Sequence, residues 1–525
     1  MAIDIASILR RAADRYPQRE ALVFEEKRFT YAEWNERVNR FAFALSELGI
    51  CPGDRVAFYL TNSEGSVTTH FACQKLGAVS VPINFRLGRT ELEQIVRDAG
   101  ARVLVYSQFA TEEVAAMARN LRSVHDFISA AESDQEVPEG HHRFFDLIDK
   151  QPNHREPNHR NQADTISALI YTSGTTGRAK GVVHTHGNDF HIAMNCVMEY
   201  SLRRADRALH IAPLYHVGGM QAFFIPHALV GGANVVMGRY DCLKTMETIE
   251  REKITSLFAV PVQLEEMLDH PRRGEFDLSS LRLITTGGAA STSNTLRRVV
   301  DELCPGVFNG YGMTEGSLTL LLHPEDVADR PESCGKPTLI TDARVIRHQE
   351  GVPSNPDEVV PTGEKGQLVV RGPQVTPGYW NNTAATVDKL RLGWLHTGDV
   401  FSRDEDGFFY FHGRVDDMIV SGGENVYPRE VEEAVLGHAG VGSVAVVGLP
   451  HQRWGQAVTA VVVAKGPEVT AESVLEFCRQ QSGLARYKCP KMVLLVEELP
   501  RNPTGKIQRF RLVEQFREVY AEVIR

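Results

Sequence analysis

The chain of 525 residues contains no apolar run approaching the roughly 20 residues that a bilayer-spanning helix requires. Its opening residues lack a secretory leader's order of basic, apolar and small cleavage-site residues, and its end, Glu522 to Arg525, spells no address signal. A cytoplasmic protein is the expectation. Cysteine is sparse and scattered: eight residues, at 51, 73, 196, 242, 304, 334, 478 and 489, with no Cys-x-x-Cys spacing. That argues against a disulfide framework or a zinc knuckle and leaves reduced thiols. Basic charge is also short. Lys and Arg number 57 against 67 Asp and Glu, a net charge of −10, and from Asp416 onward the counts are 13 and 14. Such a balance offers no platform for nucleic acid, so anionic ligands must be met by individually placed cations.

What is present is the composition of a globular enzyme, 42% hydrophobic and 24% charged, at a length that calls for two or more domains. The most informative stretch runs from Tyr171 to Val183. Thr172, Ser173, Gly174, Thr175, Thr176 and Gly177 crowd together, and Lys180 stands just behind them. Glycines let backbone N–H groups approach an anion, hydroxyls add donors, and a lysine adds a point charge. This reads as a polyphosphate cradle, with a plain Gly/Thr hairpin turn as the competing reading. It is not a Walker A loop, because Lys180 is followed by Gly181 and a β-branched run to His186 that reads as a strand, not a helix.

Helix and strand signals alternate around it. Thr30 and Glu33 form a capping box ahead of the apolar face Trp34, Val38, Phe41, Leu45 and Leu48, and Thr90 with Glu93 repeats the pattern before Leu92, Ile95 and Val96. Strands are expected at 55–60, 102–106, 208–212, 233–237, 256–260 and 281–285, the signature of helix-covered sheets. Residues 130–164 read as a polar loop. Its two Pro-Asn-His-Arg repeats, at 152–155 and 157–160, are surface residues and not a metal site, since no carboxylate or cysteine cluster accompanies them.

After Thr286 come Gly287, Gly288 and Ala289, small residues at a strand's end that leave room for a flat ligand. Asn309, Gly310, Tyr311, Gly312, Met313, Thr314, Glu315 and Gly316 follow: an aromatic between glycines, a hydroxyl and a carboxylate, which suits a base, a phosphate and magnesium, or equally a surface turn. Residues 340–412 are strand- and turn-rich, and Asp399, read alone, is a turn residue. Gly413 to Pro428 marks a boundary, with Pro428 opening a helix that carries Val431, Ala434 and Val435. Beyond it lie strands at 443–447, 457–465 and 491–496, a helix at 471–481, and the loop Pro500 to Lys506, whose lysine on its own reads as solvated.

In this order, the segments Tyr171–Val183, Tyr311–Gly316, Gly393–Asp399, Gly413–Glu432 and Pro500–Ile507 resemble the acyl-adenylate-forming superfamily: acyl-CoA synthetases, luciferases and peptide-synthetase adenylation domains. The resemblance covers essentially the whole length. It implies an α/β fold, with a large N-terminal domain (1–415) of α/β sheets plus a β-subdomain and a small mobile α+β domain (416–525) hinged at Asp416. It implies that the Thr172–Lys180 loop covers the ATP phosphates, although Ala179 stands where relatives usually have proline. Tyr311 would stack on adenine against Gly287, Gly288 and Ala289. Asn309 and Gly312 would border the nucleotide, Thr314 would touch phosphate, Glu315 would hold Mg2+, and Asp399 and Arg414 would meet the ribose or phosphate. Lys506 would be the adenylation lysine, while Ser421, Gly422 and Gly423 would line the tunnel for coenzyme A.

The implied activity is an ATP-dependent acid–thiol ligase that passes through acyl-AMP, with a small-molecule carboxylic acid, ATP and CoA as its partners and a homodimer as the expected assembly. The acyl pocket would be built from Tyr215, His216, Val217, Gly287, Gly288, Gly312 and Met313, with His216 at the reacting centre. These are apolar or small apart from His216, and no aspartate stands ready for a substrate ammonium. A hydrophobic monocarboxylate is expected, medium-chain, cyclic or aromatic. A long-chain fatty acid, or transfer to a carrier protein, is the alternative.

Overall fold

The computed structural model describes residues 4–131, 135–172, 179–348, 354–422, 424–481, 484–501 and 507–522. Two large sheets dominate the N-terminal part. The seven-stranded sheet takes the order His142–Arg143, Asp126–Ser129, Val103–Tyr106, Arg55–Tyr59, Val79–Pro82, Ile166–Thr172, Lys180–Thr185. It is parallel until its last pair, the antiparallel hairpin in which Thr172 faces Lys180. The nine-stranded sheet runs Lys336–Pro337, Ser317–Leu322, Val307–Met313, Leu283–Gly287, Ser256–Phe258, Arg207–His210, Ala233–Val236, Glu20–Phe24, Lys27–Thr30. Its centre is parallel, as expected where helices connect successive strands.

The first expected helix forms at Tyr31–Glu47. Thr30 caps it with Glu33 returning the bond, and Trp34, Val38, Phe41 and Leu45 are wholly buried. The second starts earlier than its expected cap. It spans Arg89–Ala99, with the Glu91 carboxylate accepting from the Gly88 N–H at 3.1 Å, so Thr90 lies inside the first turn. A glycine in extended backbone can lead a helix without a side-chain cap of its own.

The stretch 130–164 is not all loop. Phe144–Lys150 is a helix that buries Phe144 and Ile148. The repeat that follows is tied down: Glu156, between its two halves, accepts from the Lys75 ammonium at 2.9 and 3.0 Å, and the same ammonium reaches Asn35 and Asn39 at 2.6 Å. The Asn39 amide also donates to the His154 carbonyl.

By its internal packing the chain divides into one unit of residues 1–343 and 370–395 and a second of 344–369 and 396–525. That cut differs from the one at Asp416 read from the sequence. In the second unit Asp399–Arg403 pairs with Phe409–Arg414, so Asp399 lies within a ladder, not in a turn. The C-terminal sheet follows with the order Glu424–Val426, Ile419–Ser421, Gly455–Ala464, Val441–His451, and Met492–Leu495 beside Gly455–Ala464. Pro428 is the first residue of the helix Pro428–Leu436, which buries Val431 and Val435, and Ala471–Gln480 forms the second expected helix. No helix among the described residues is long and apolar enough to cross a membrane.

Candidate active site

In the first unit the strand Lys180–Thr185 organises the site. Its hairpin partner Ile166–Thr172 brings Thr172 opposite Lys180, which closes the ends of the glycine-rich loop. Ser173, Gly174, Thr175, Thr176 and Gly177 lie outside the described residues. The strand's free edge is taken by a later segment: the Val183 N–H donates to Gly378 O at 3.0 Å and the Trp380 N–H to Gly181 O at 2.8 Å. The Lys180 ammonium lies 6.0 Å from the Tyr379 ring centroid. The segment after the loop is therefore a strand, as the sequence indicated, and the next helix, His186–Glu199, starts only past the Thr185 cap.

Thr314 and Glu315 form the turn between Val307–Met313 and Ser317–Leu322, and both are buried, which rules out a surface turn. Gly312 is obligatory there, because a Cβ would meet the Ser317 carbonyl at 2.0 Å. The Tyr379 hydroxyl donates to Glu315 Oε1 at 2.6 Å, and the Thr376 N–H donates to the Glu315 carbonyl at 2.8 Å. The Thr314 carbonyl accepts from His184 Nε2 at 3.0 Å.

Among the described residues no group of three or more His, Cys, Asp or Glu could hold a metal by itself. A lone carboxylate with one oxygen oriented by a tyrosine suits magnesium, which takes one or two carboxylates and draws its other ligands from water and substrate phosphates. Glu315 fits that role.

Gly287 pairs with Gly310 across neighbouring strands, and a Cβ on Gly287 would meet the Gly310 carbonyl at 2.4 Å. Gly288 differs: its φ is +79° and a Cβ there would meet nothing within 4 Å. Ala289 follows it, partly buried, and Tyr311 sits on the strand beside Gly310 with its carbonyl accepting from Thr319 Oγ1. The Asn309 amide donates to the Ser333 carbonyl at 3.4 Å.

The segment expected from the sequence to line the acyl pocket is held by a residue that sequence reasoning missed. Asn62 accepts from the Leu214 N–H at 2.8 Å and donates to the Ala212 carbonyl at 2.9 Å, fixing the backbone just ahead of Tyr215. Tyr215 meets Phe85 edge-on at 5.8 Å, and Phe85 meets Phe109 at 6.3 Å. Burial pushes the Tyr215 phenol up to about 12, with Arg86 opposing the shift. His216 Nδ1 accepts from the Gly218 N–H at 3.3 Å, Val217 packs with Ala168 and Ile170, and Met313 faces Ser317 in its strand pair. The segment then winds wider than an α-helix: Ala222 N–H bonds Val217 O and Phe224 N–H bonds Gly219 O, both i to i−5 at 2.9 Å. Gly219 allows this, since a Cβ would sit 2.2 Å from the Pro213 carbonyl. Such turns often mark functional sites.

In the second unit, Asp399 Oδ1 lies 3.5 Å from Arg414 Nε, and the two residues face each other across the ladder. Asp416 is exposed in the turn that follows, while its neighbour Asp417 belongs to a network the sequence did not announce. Arg509 reaches Glu432 at 2.7 and 3.0 Å and Asp417 at 3.4 Å. Burial raises the Asp417 carboxyl above its ordinary range, with Arg509 pulling the other way. Ser421 is buried at a strand end. Gly422, at φ +62°, donates to the Trp454 carbonyl at 2.9 Å, and a Cβ there would touch the Trp454 ring at 3.5 Å. Gly423 and Lys506 lie outside the described residues; the bridge between Arg501 and Ile507 frames the segment that carries Lys506.

The sequence profile of the AMP-binding enzyme family matches residues 9–380, and that of the AMP-binding enzyme C-terminal domain matches 430–506. The chain is 40% identical over 491 residues to a feruloyl-CoA synthase of Amycolatopsis, covering 93% of this chain and 94% of the relative. It is 36% identical over 520 residues to a long-chain-fatty-acid–CoA ligase of Mycobacterium tuberculosis, covering 98% of both. Among solved structures, o-succinylbenzoate CoA synthetase from Bacillus subtilis, in complex with its acyl-adenylate intermediate, superposes with a TM-score of 0.84 at 30% identity, covering 96% of this chain and 97% of that one.

The chain belongs to the AMP-binding enzyme family, within the acyl-adenylate-forming superfamily. It is an AMP-forming carboxylate–CoA ligase, an acid–thiol ligase that uses ATP and coenzyme A.

Proposed function

We propose that the acid is a hydrophobic monocarboxylate of the aromatic or cyclic kind, with medium-chain acids next. The observation that supports this is the run of aromatic edges from Phe109 through Phe85 to Tyr215, beside the acyl segment, together with the side-chain-free space at Gly288. Flat rings pack well against aromatic edges. Two of the compared ligases are named for aryl acids, which agrees.

In this reading the carboxylate attacks the α-phosphorus of ATP, the bond from that phosphorus to the bridging oxygen breaks, and pyrophosphate leaves. The thiol of coenzyme A then displaces AMP from the acyl carbon. Lys180 and the glycine-rich loop bind the departing phosphates, Thr314 contacts phosphate, and Lys506 neutralises charge as it concentrates. Magnesium bound by Glu315 would supply further positive charge to the phosphates. Asp399 and Arg414 hold the ribose. Ser421, Gly422 and Gly423 serve the second half-reaction, after the domain bearing Lys506 has turned about Asp416. The eight scattered cysteines, without Cys-x-x-Cys spacing, accord with a cytoplasmic setting, and a homodimer is the proposed assembly.

The test is pyrophosphate release over a panel from acetate through octanoate to palmitate and cinnamate, with and without coenzyme A. Cinnamate or octanoate should lead. Lys506→Ala should slow adenylation far more than thioester formation from supplied acyl-AMP; equal loss in both steps would remove the role given to Lys506.

A further inference from the structure

We propose that His184, with Asp189 and Ser167 behind it, is a positioning residue that sets the Thr314–Glu315 turn for the adenylation step. The inference rests on the reading of that turn as the phosphate- and magnesium-binding element.

The imidazole lies between two fixed groups. Nδ1 is held by Asp189 Oδ1 at 2.9 Å, and Asp189 Oδ2 accepts from the Ser167 hydroxyl at 2.6 Å. Nε2 points at the Thr314 carbonyl, which can only accept, so that nitrogen carries the hydrogen. His184 and Asp189 are both fully buried, so no solvent competes for these bonds. The three supporting residues come from three elements: Ser167 from one strand of the loop hairpin, His184 from the other, and Asp189 from the helix that follows.

The carbonyl they hold belongs to the other large sheet. His184 thus joins the hairpin that frames the phosphate loop to the turn that carries the magnesium carboxylate. A second tie runs parallel to it. The Thr376 N–H holds the Glu315 carbonyl at 2.8 Å, while the Thr376 hydroxyl donates to the Val183 carbonyl at 2.5 Å, one residue before His184. Two consecutive peptide carbonyls of the turn are therefore referenced to two consecutive residues of one strand. A hydroxyl and a carboxylate that must meet neighbouring phosphate oxygens gain from such a shared frame, because misplacement by an ångström costs rate and not only affinity. An ordinary core histidine needs neither a carbonyl on a functional turn nor a carboxylate and hydroxyl in series behind it.

The experiment uses the full-length enzyme and measures pyrophosphate release against Mg2+ and ATP concentration for wild type, His184→Leu, His184→Gln and Glu315→Gln. Thermal melting and thioester formation from supplied acyl-AMP are followed in parallel. His184→Leu is expected to lower kcat for adenylation about 10–100-fold and raise the Mg2+ midpoint, with thioester formation changed less than threefold. His184→Gln, which keeps an N–H donor toward Thr314, should recover much of that loss at a similar melting temperature. Equal loss in both half-reactions, or a lowered melting temperature with no shift in Mg2+ midpoint, overturns the inference. So does failure of His184→Gln to improve on His184→Leu. If Glu315→Gln also leaves the Mg2+ midpoint unmoved, the reading of the turn falls with it; if Glu315→Gln shifts it and His184→Leu does not, only the role of His184 falls.

Discussion

The hydroxyl of Tyr379 lies 2.6 Å from Oε1 of Glu315, a short hydrogen bond between two buried side chains 64 residues apart. A charged acceptor makes such a bond strong, and it fixes which carboxylate oxygen is left for a cation. Tyr379→Phe should keep the fold but raise the magnesium needed for half-maximal pyrophosphate release by about 10–100-fold, the usual cost of removing a partner that orients a metal ligand. A magnesium titration at saturating ATP reads this directly.

Gly288 and Gly312 respond differently to a methyl group. At Gly312 it meets the Ser317 carbonyl at 2.0 Å, so Gly312→Ala should lose about 1–3 kcal/mol of stability or more, together with activity. At Gly288 the methyl finds open space and only the backbone at φ +79° objects, a cost of about 1–2 kcal/mol. Gly288→Ala should therefore fold, and should raise the KM of cinnamate more than that of hexanoate. Urea unfolding and a two-acid comparison separate the two variants.

Buried histidines set the response to acid. Burial pulls His70 and His186 down to about 4 and His210 to about 3. The Ile5 N–H donates to His186 Nδ1, a bond that needs that nitrogen unprotonated. Since the unfolded side chains titrate near 6.5, the unfolded state binds more protons below that value, and stability is lost as pH falls from about 6.5 toward 4. Each residue contributes a slope of at most about 1.4 kcal/mol per pH unit. Urea midpoints at pH 7, 6 and 5 should fall steadily, and His210→Gln should flatten the curve.

The Lys75–Glu156 pair should be asymmetric under mutation. Lys75 is almost wholly buried while Glu156 keeps a third of its side chain in solvent, so the ammonium is the harder group to strand. Glu156→Gln should cost about 3 kcal/mol at pH 7, and Lys75→Met less. Burial already draws Lys75 down to about 8 against the pull of Glu156. A lysine depressed in the fold makes stability rise with pH from there toward its unfolded value near 10.4, so Glu156→Gln should regain stability above pH 8. Urea melts at pH 7 and 9 test both statements.

Much of this was legible in the chain because local signals carried it. The Thr30–Glu33 box, the strands expected at 55–60, 102–106, 208–212, 233–237, 256–260 and 281–285, and Pro428 at a helix start each depend on near neighbours. What escaped was either locally weak or distant in sequence. The helix Phe144–Lys150 has only two turns and sits in a polar surrounding, so its period did not stand out. Asp399 looked like a turn residue because glycine precedes it, yet its ladder partner Arg414 draws it into a strand. His184, Tyr379 and Asn62 act on partners 130, 64 and 152 residues away, and no spacing rule reaches across such gaps.

The wide turn after Val217 has one further consequence. Each of its bonds spans one residue more than an α-turn would. Deleting a single residue between Met220 and Phe224 would let the coil tighten to ordinary pitch and swing the side chains ahead of it by about 100° about the axis. One codon's loss could thus present a new wall to the acid while both sheets stay as they are, a route by which ligases of this family could diverge in diet faster than point substitution allows.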